Sequence, residues 1–130
     1  MKQVEVAAAI VMDEGEILCV QRGKNKLSYI SEKFEFPGGK IEKGETLKET
    51  VVRELKEELM LDVLPKEKLI TVKHQYPDFH LTMHAFLCTC STRNLKLTEH
   101  IDCRWLSPSE LPPLDWAAAD IPIVHKLIRS

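Results

Sequence analysis

The sequence predicts an α+β fold, with helices packed on a mixed sheet, and three observations carry that expectation. Short apolar runs rich in Val, Ala and Ile recur with turn residues between them, as strands do. One segment, opening at Thr46, instead repeats Leu and Val every four residues, the period of a helix buried along one side. At 130 residues, 44% hydrophobic and 29% charged, the chain suits one compact domain, residues 1–130, that fills its own core.

Each element follows from its residues. Val4 to Met12 is apolar at consecutive positions and suits a strand buried on both faces. Asp13-Glu14-Gly15 is a turn signal, and Ile17 to Val20 reads as the returning strand of a hairpin. Gly23 to Glu32 is polar and irregular, a loop over one end of the sheet. A short strand through Phe34 and Phe36 then meets Pro37-Gly38-Gly39, which is expected to break regular structure.

Thr46, with Glu49 three residues on, makes a capping box for the clearest helix. Leu47, Val51, Leu55 and Leu59, with Val52 beside them, form its apolar stripe. Leu69 to Tyr76 and Leu81 to Thr89 read as two strands around a Pro77-Asp78 turn, and Ile101 to Leu106 as another. Ser107-Pro108-Ser109-Glu110 opens a short helix with proline in its first turn. A last amphipathic helix is expected from near Asp120 to Arg129.

Charge and cysteine usage narrow the function. Net charge is -2 with no basic run, which speaks against binding a nucleic-acid polymer. A small polyanion remains open to it, if metal ions and a few local cations neutralise the phosphates. Met1 to Glu5 lacks the apolar core of a signal peptide, and no apolar run approaches the ~20 residues of a membrane helix. The expected setting is therefore the cytoplasm. Cys19, Cys88, Cys90 and Cys103 form no C-x-x-C pair and read as buried, reduced thiols. His80 and His84 share a strand face; they and His74, His100 and His125 read as pocket lining or surface.

Within the capped helix, Glu54 and Glu58 lie one turn apart on one face, with Glu57 beside them. Carboxylates crowded in this way repel one another. A hard divalent cation wants such oxygen ligands, and Mg²⁺ combines a few carboxylates with phosphate oxygens and water. Taken alone, the cluster fits a solvated acidic face equally well.

The order of residues around it decides between the two. Gly39, Glu45, Arg53, Glu54, Leu55, Glu57, Glu58 and Leu61 stand at the spacings of G-x5-E-x7-R-E-U-x-E-E-x-G-U, where U is aliphatic. The segment GKIEKGETLKETVVRELKEELML thus resembles the Nudix box. One position departs: Met60 stands where the box has its second glycine. That glycine ends the helix in a left-handed conformation, so either Met60 accepts the strain, ~1 kcal/mol, or the helix ends differently. The flanks Phe34-Glu35-Phe36-Pro37-Gly38-Gly39-Lys40-Ile41-Glu42, Tyr76-Pro77-Asp78 and Trp105-Leu106-Ser107 resemble the MutT-like branch. The tail Ala118-Ala119-Asp120-Ile121-Pro122 looks like its CTP pyrophosphohydrolase members.

The resemblance implies a Nudix fold, an α/β/α sandwich, and a hydrolase that converts nucleoside triphosphates to monophosphate and pyrophosphate. Cytosine nucleotides or 8-oxo-dGTP are the expected substrates. It implies Mg²⁺ or Mn²⁺ held by Glu54, Glu57, Glu58 and the Gly38 carbonyl, with Glu54 or Glu99 as proton acceptor. Glu45 and Arg53 would form an ion pair that orients the catalytic helix. Arg22 and Lys40 would meet the nucleotide, and Phe36 and Tyr76 would sandwich or edge its base. Asp120 would choose the base; an ionised carboxylate there accepts hydrogen bonds only, which leans away from strict oxidised-guanine specificity. Its structural alternative is an N-cap of the last helix. The chain is expected to act as a monomer or homodimer. The rival readings are a Nudix hydrolase of ADP-ribose or a similar diphosphate, and a non-catalytic nucleotide-binding module.

Overall fold

The computed structural model describes residues 1–129. Its strands are β1 (Lys2–Asp13), β2 (Glu16–Arg22), β3 (Phe34–Glu35), β4 (Gly38–Lys40), β5 (Val63–Gln75), β6 (Phe79–Cys90) and β7 (His100–Leu106). Its α-helices are α1 (Leu47–Leu59) and α2 (Ile121–Arg129), with single 3-10 turns at Pro108–Glu110 and Ala118–Asp120.

β1 is the central strand. It runs parallel to β6 from Lys2 to Val11, and β6 pairs antiparallel with β5 at the edge. The other edge of β1 is divided. Val6–Ala8 pair antiparallel with β4, while only Met12 and Asp13 pair with β2, whose remaining length carries β3 and β7.

Side chains alternate across the sheet. Ala7, Ala9 and Val11 face α1 and pack with Val51, Leu55 and Leu59. Ala8 and Ile10 face the opposite way, toward Ile123, Val124 and Leu127 of α2. The expected sandwich is therefore present, with a separate apolar core on each face. The alanines of β1 keep the sheet thin, and on the α2 side they leave room for a cavity.

Three expectations are corrected. Pro37 does interrupt regular structure, but the break does not extend through Gly38-Gly39, because Gly38–Lys40 form β4. A Cβ on Gly38 would lie 2.2 Å from the Ala7 carbonyl oxygen and 2.6 Å from Ala8 Cα, so only glycine lets the two backbones approach this closely. β5 begins at Val63 rather than near Leu69, through Pro65-Lys66-Glu67-Lys68. It is an edge strand with register shifts there, and such strands tolerate proline and charge. Val52 lies off the stripe and is exposed, since each residue turns the helix by about 100°.

Met60 takes the strained alternative. It sits at φ 52°, ψ 35°, and its N–H reaches the carbonyls of Leu55 and Lys56. The helix thus ends as it would with glycine.

Candidate active site

The N-terminus of α1 is built by its own sequence. Thr46 Oγ1 accepts the Glu49 N–H at 3.1 Å, and the Glu49 carboxylate accepts the Thr46 N–H at 2.8 Å, closing the expected capping box. Just ahead of it, Glu45 accepts from the Glu42 N–H and from Thr50 Oγ1.

Arg53 ties this turn to the acidic face, with all five N–H groups engaged. Nε donates to Glu45 at 2.6 Å, and Nη2 donates to Glu45 at 3.0 Å and to the Lys40 carbonyl at 2.9 Å. Nη1 donates to Glu54 at 2.7 Å and to Glu57 at 3.1 Å. The Glu45–Arg53 pair is thus two-pronged, and Arg53 holds the Glu45 carboxyl down to about 2. The pair joins the β4 backbone to the carboxylates of α1.

Glu54, Glu57 and Glu58 share one face, yet Arg53 draws Glu54 and Glu57 to itself. Among the described residues no three acidic, His or Cys side chains converge as a ready cation site. Glu54 is fixed from the other side by β4. A Cβ on Gly39 would come within 2.4 Å of the Glu54 carboxylate. Glu58 is buried beneath, and Oε1 has no hydrogen-bond partner. Burial, then Glu54, Glu35 and Glu99, push its carboxyl up to about 10. Buried, adjacent carboxylates with an unpartnered oxygen are costly unless a cation is shared between them. Their donors are hard oxygens, so this set fits a divalent ion such as Mg²⁺.

The loop before β7 is fastened to the other end of α1. Thr98 Oγ1 donates to the Glu58 carbonyl at 2.8 Å, its N–H reaches the same carbonyl, and the Lys96 N–H reaches that of Leu59. These bonds satisfy carbonyls that a helix end leaves open, and they place Glu99 beside Glu58. His100 follows, with Nε2 3.0 Å from Glu35 and 3.9 Å from Glu58 Oε1. Glu35 in turn accepts from Arg22 Nε at 2.9 Å.

On the α2 side lies a cavity of about 440 Å³, floored by β1 and β6 and bordered by Gly38, Gly39 and Lys40. Arg22, Phe36, Tyr76 and Asp120 all line it. Phe36 is stacked on Trp116 at 4.8 Å and Tyr76 on Tyr29 at 5.1 Å, so each already has an aromatic partner. That favours contact by ring edges over a sandwich. Tyr29 also donates to Asp78. Asp120 Oδ1 accepts the Phe36 N–H at 3.1 Å, and among the described residues no bond joins it to the first turn of α2. It ties two chain segments together in place of capping the helix. Burial pushes its carboxyl well above the usual range, with Glu35 adding to the effect.

A family model described as the NUDIX domain matches residues 1–127. The chain belongs to the Nudix family. It is a Nudix hydrolase of the MutT-like kind, and relatives and solved structures agree. It is 34% identical to the CTP pyrophosphohydrolase of Escherichia coli K12, over 96% of this chain and 91% of that protein. It is 32% identical to the 8-oxo-dGTP diphosphatase of the same organism, over 99% of both. A crystal structure of the MutT protein from Methanosarcina mazei superposes with a TM-score of 0.87 at 26% identity, covering 98% of this chain and 94% of that one. No described helix is long and apolar enough to cross a membrane.

The Nudix-box residues come together as their spacing implied, and Glu99 and the cavity residues fall beside them. Sequence reasoning missed Glu35 and His100. Glu35 alternates with the buried Phe34 and Phe36, so its side chain leaves the core between them, a signal available from strand periodicity. His100 stands next to Glu99 and was read as lining or surface; its side chain is only 5% exposed. His80 and His84 do not form a metal pair: His84 Nε2 binds Glu5 at 2.7 Å. Cys19 and Cys88 are buried as expected, whereas Cys90 and Cys103 are only partly covered.

Proposed function

We propose that this Nudix hydrolase is a divalent-cation-dependent pyrophosphohydrolase of nucleoside triphosphates, releasing nucleoside monophosphate and pyrophosphate. The observation that carries the reading is the acidic face of α1 meeting the β4 edge of a nucleotide-sized cavity at Gly38–Gly39. Glu54, Glu57 and Glu58, with the Gly38 carbonyl, would hold Mg²⁺ or Mn²⁺. When bound, such an ion neutralises phosphate oxygens and acidifies water.

The chain's own residues do the rest. Arg53 and Glu45 fix the helix against β4, so the carboxylates keep their register with the cavity mouth. Arg22 and Lys40 carry the positive charge nearest the phosphates. Water attacks the β-phosphorus, the bond to the α–β bridging oxygen breaks, and the water proton passes to Glu54 or Glu99. The water oxygen leaves in pyrophosphate, and the bridging oxygen stays with the monophosphate.

Asp120 supports a base class. The expectation that it turns the site away from oxidised guanine assumed an ionised carboxylate. Burial favours its protonated form, which offers one donor and one acceptor side by side, as an asparagine does. Cytosine presents the complement, an amine beside ring N3. So does 8-oxoguanine, where oxidation turns N7 into a donor beside O6. On that same N7/O6 edge, ordinary guanine presents two acceptors. With a purine read on its N7/O6 edge, cytosine nucleotides and 8-oxo-dGTP are the preferred substrates over dGTP.

The test is pyrophosphate release with Mg²⁺ from CTP, dCTP, 5-methyl-dCTP, 8-oxo-dGTP, dGTP and ADP-ribose, each beside Glu57→Gln. We expect cytosine nucleotides and 8-oxo-dGTP to lead, with dGTP about 10-fold slower or worse, and the variant to lose about 10³-fold. Turnover of ADP-ribose alone would overturn the substrate class. Binding without turnover of any compound would show a nucleotide-binding module.

A further inference from the structure

The inference concerns His100, which the proposed chemistry does not use. Its side chain is 5% exposed, among the most buried polar groups near the site. It stands between two carboxylates, Glu35 at 3.0 Å and Glu58 at 3.9 Å from the same Nε2. Glu35 belongs to the nucleotide cavity through Arg22, while Glu58 belongs to the acidic face of α1. With Glu99, all four line a smaller cavity of about 220 Å³ between those two regions. Nε2 is at hydrogen-bond distance from Glu35 Oε2 only, and a carboxylate oxygen accepts, so the ring carries its hydrogen on Nε2. Among the described residues, the buried side-chain atoms without a partner are Glu58 Oε1 and His100 Nδ1, so the unspent hydrogen-bonding capacity of the interior lies at this junction.

We propose that His100 is a positioning residue: by donating from Nε2 to Glu35 and abutting Glu58, it holds the cation-binding carboxylate in register with the Arg22 side of the nucleotide cavity. This rests on reading Glu58 as a cation ligand. His100 is not needed to hold its own loop, which Thr98 and Lys96 already fasten to α1. Partners behind metal ligands commonly contribute about 10- to 100-fold in affinity or activity.

The experiment measures Mn²⁺ binding to the nucleotide-free protein, by the electron paramagnetic resonance of free ion, together with kcat and KM for CTP and a thermal melt. Glu58→Gln should abolish the site and so check the cation reading itself. His100→Leu removes the donor at similar volume. It should weaken Mn²⁺ about 10-fold and lower kcat about 10- to 100-fold, with KM nearly unchanged. His100→Gln, whose amide reaches where Nε2 sits, should recover most of both. His100→Asn, whose shorter amide does not, should behave as His100→Leu and serves in its place if that variant does not fold. Wild-type Mn²⁺ affinity and kcat in His100→Leu or His100→Asn would overturn the proposal. So would equal damage in His100→Gln at an unchanged melting temperature, since packing alone would then explain it. Undiminished Mn²⁺ binding by Glu58→Gln would overturn the cation reading instead.

Discussion

The two faces of the sheet differ in how far along the chain their functional groups lie. On the α1 side, Glu45, Arg53, Glu54, Glu57 and Glu58 come from one short stretch, where helix geometry groups the last four and Arg53 holds Glu45 in the turn before the cap. On the α2 side, Arg22, Phe36, Tyr76 and Asp120 come from four separate segments of the chain, and only the folded sheet assembles them. In the proposed reading, local geometry carries the carboxylates that serve the phosphates, which every substrate shares. Tertiary structure carries Arg22 and the proposed base contacts Phe36, Tyr76 and Asp120. Specificity can therefore vary without disturbing the catalytic helix.

The seam between the faces is β4, and its two glycines give the sharpest way to separate fold from chemistry. Gly38→Ala sets a Cβ against the backbone of β1. Neither strand can yield locally, so a cost of about 3 kcal/mol or more is expected, above ordinary overpacking. Gly39→Ala instead meets the tip of the Glu54 side chain, which can swing away. Its stability should change by under about 1 kcal/mol, while activity falls about 100-fold because a reacting carboxylate is displaced. Denaturant melts and kcat for both variants check this. Equal loss of stability in the two would mean that the glycines share one role.

The same contrast explains what was legible in the sequence. The capping box, the apolar stripe and the Glu45–Arg53 pair depend on separations of a few residues, so they could be read directly. β4 could not, because its pairing with Val6–Ala8 depends on a close approach that glycine permits but does not announce. The early start of β5 was hidden by Pro65 and its charged neighbours, which only an edge position accommodates. Asp120 was identified as a base-reading residue, yet its protonation depends on burial and on Glu35, a neighbour 85 positions away in the chain. Glu35 and His100, 65 positions apart, meet only because β2 pairs with both β3 and β7.

On the α2 face, pH should expose Asp120. In the unfolded chain its carboxyl titrates near 3.8, and in the folded protein well above that. The folded state therefore holds the proton more tightly, so Asp120 makes stability fall as pH rises from about 4 through the folded value. Ionisation also removes the donor that the proposed base contact needs. Asp120→Asn keeps a donor and an acceptor at all pH. Its kcat/KM for CTP, divided by that of the wild type, should rise as pH increases and Asp120 ionises, and its stability should lack the wild-type decline. A constant ratio would show that Asp120 is ionised throughout or does not touch the base.

The smallest expected effect lies at the end of α1, on the locally encoded side. Met60 adopts φ 52° where the Nudix box has glycine, and a side chain in that conformation costs about 1 kcal/mol or somewhat more. Met60→Gly relieves it but also loosens the unfolded chain, which offsets part of the gain. A net stabilisation of about 0.5 kcal/mol, a degree or two in melting temperature, should remain. Met60 is exposed and projects from the end of the helix, so kcat and KM should not change. The carboxylates are already fixed by Arg53, β4 and Thr98, independently of how the last turn closes. A Met60→Gly variant that gained stability and lost activity would show that the strained cap also sets the position of Glu57 and Glu58.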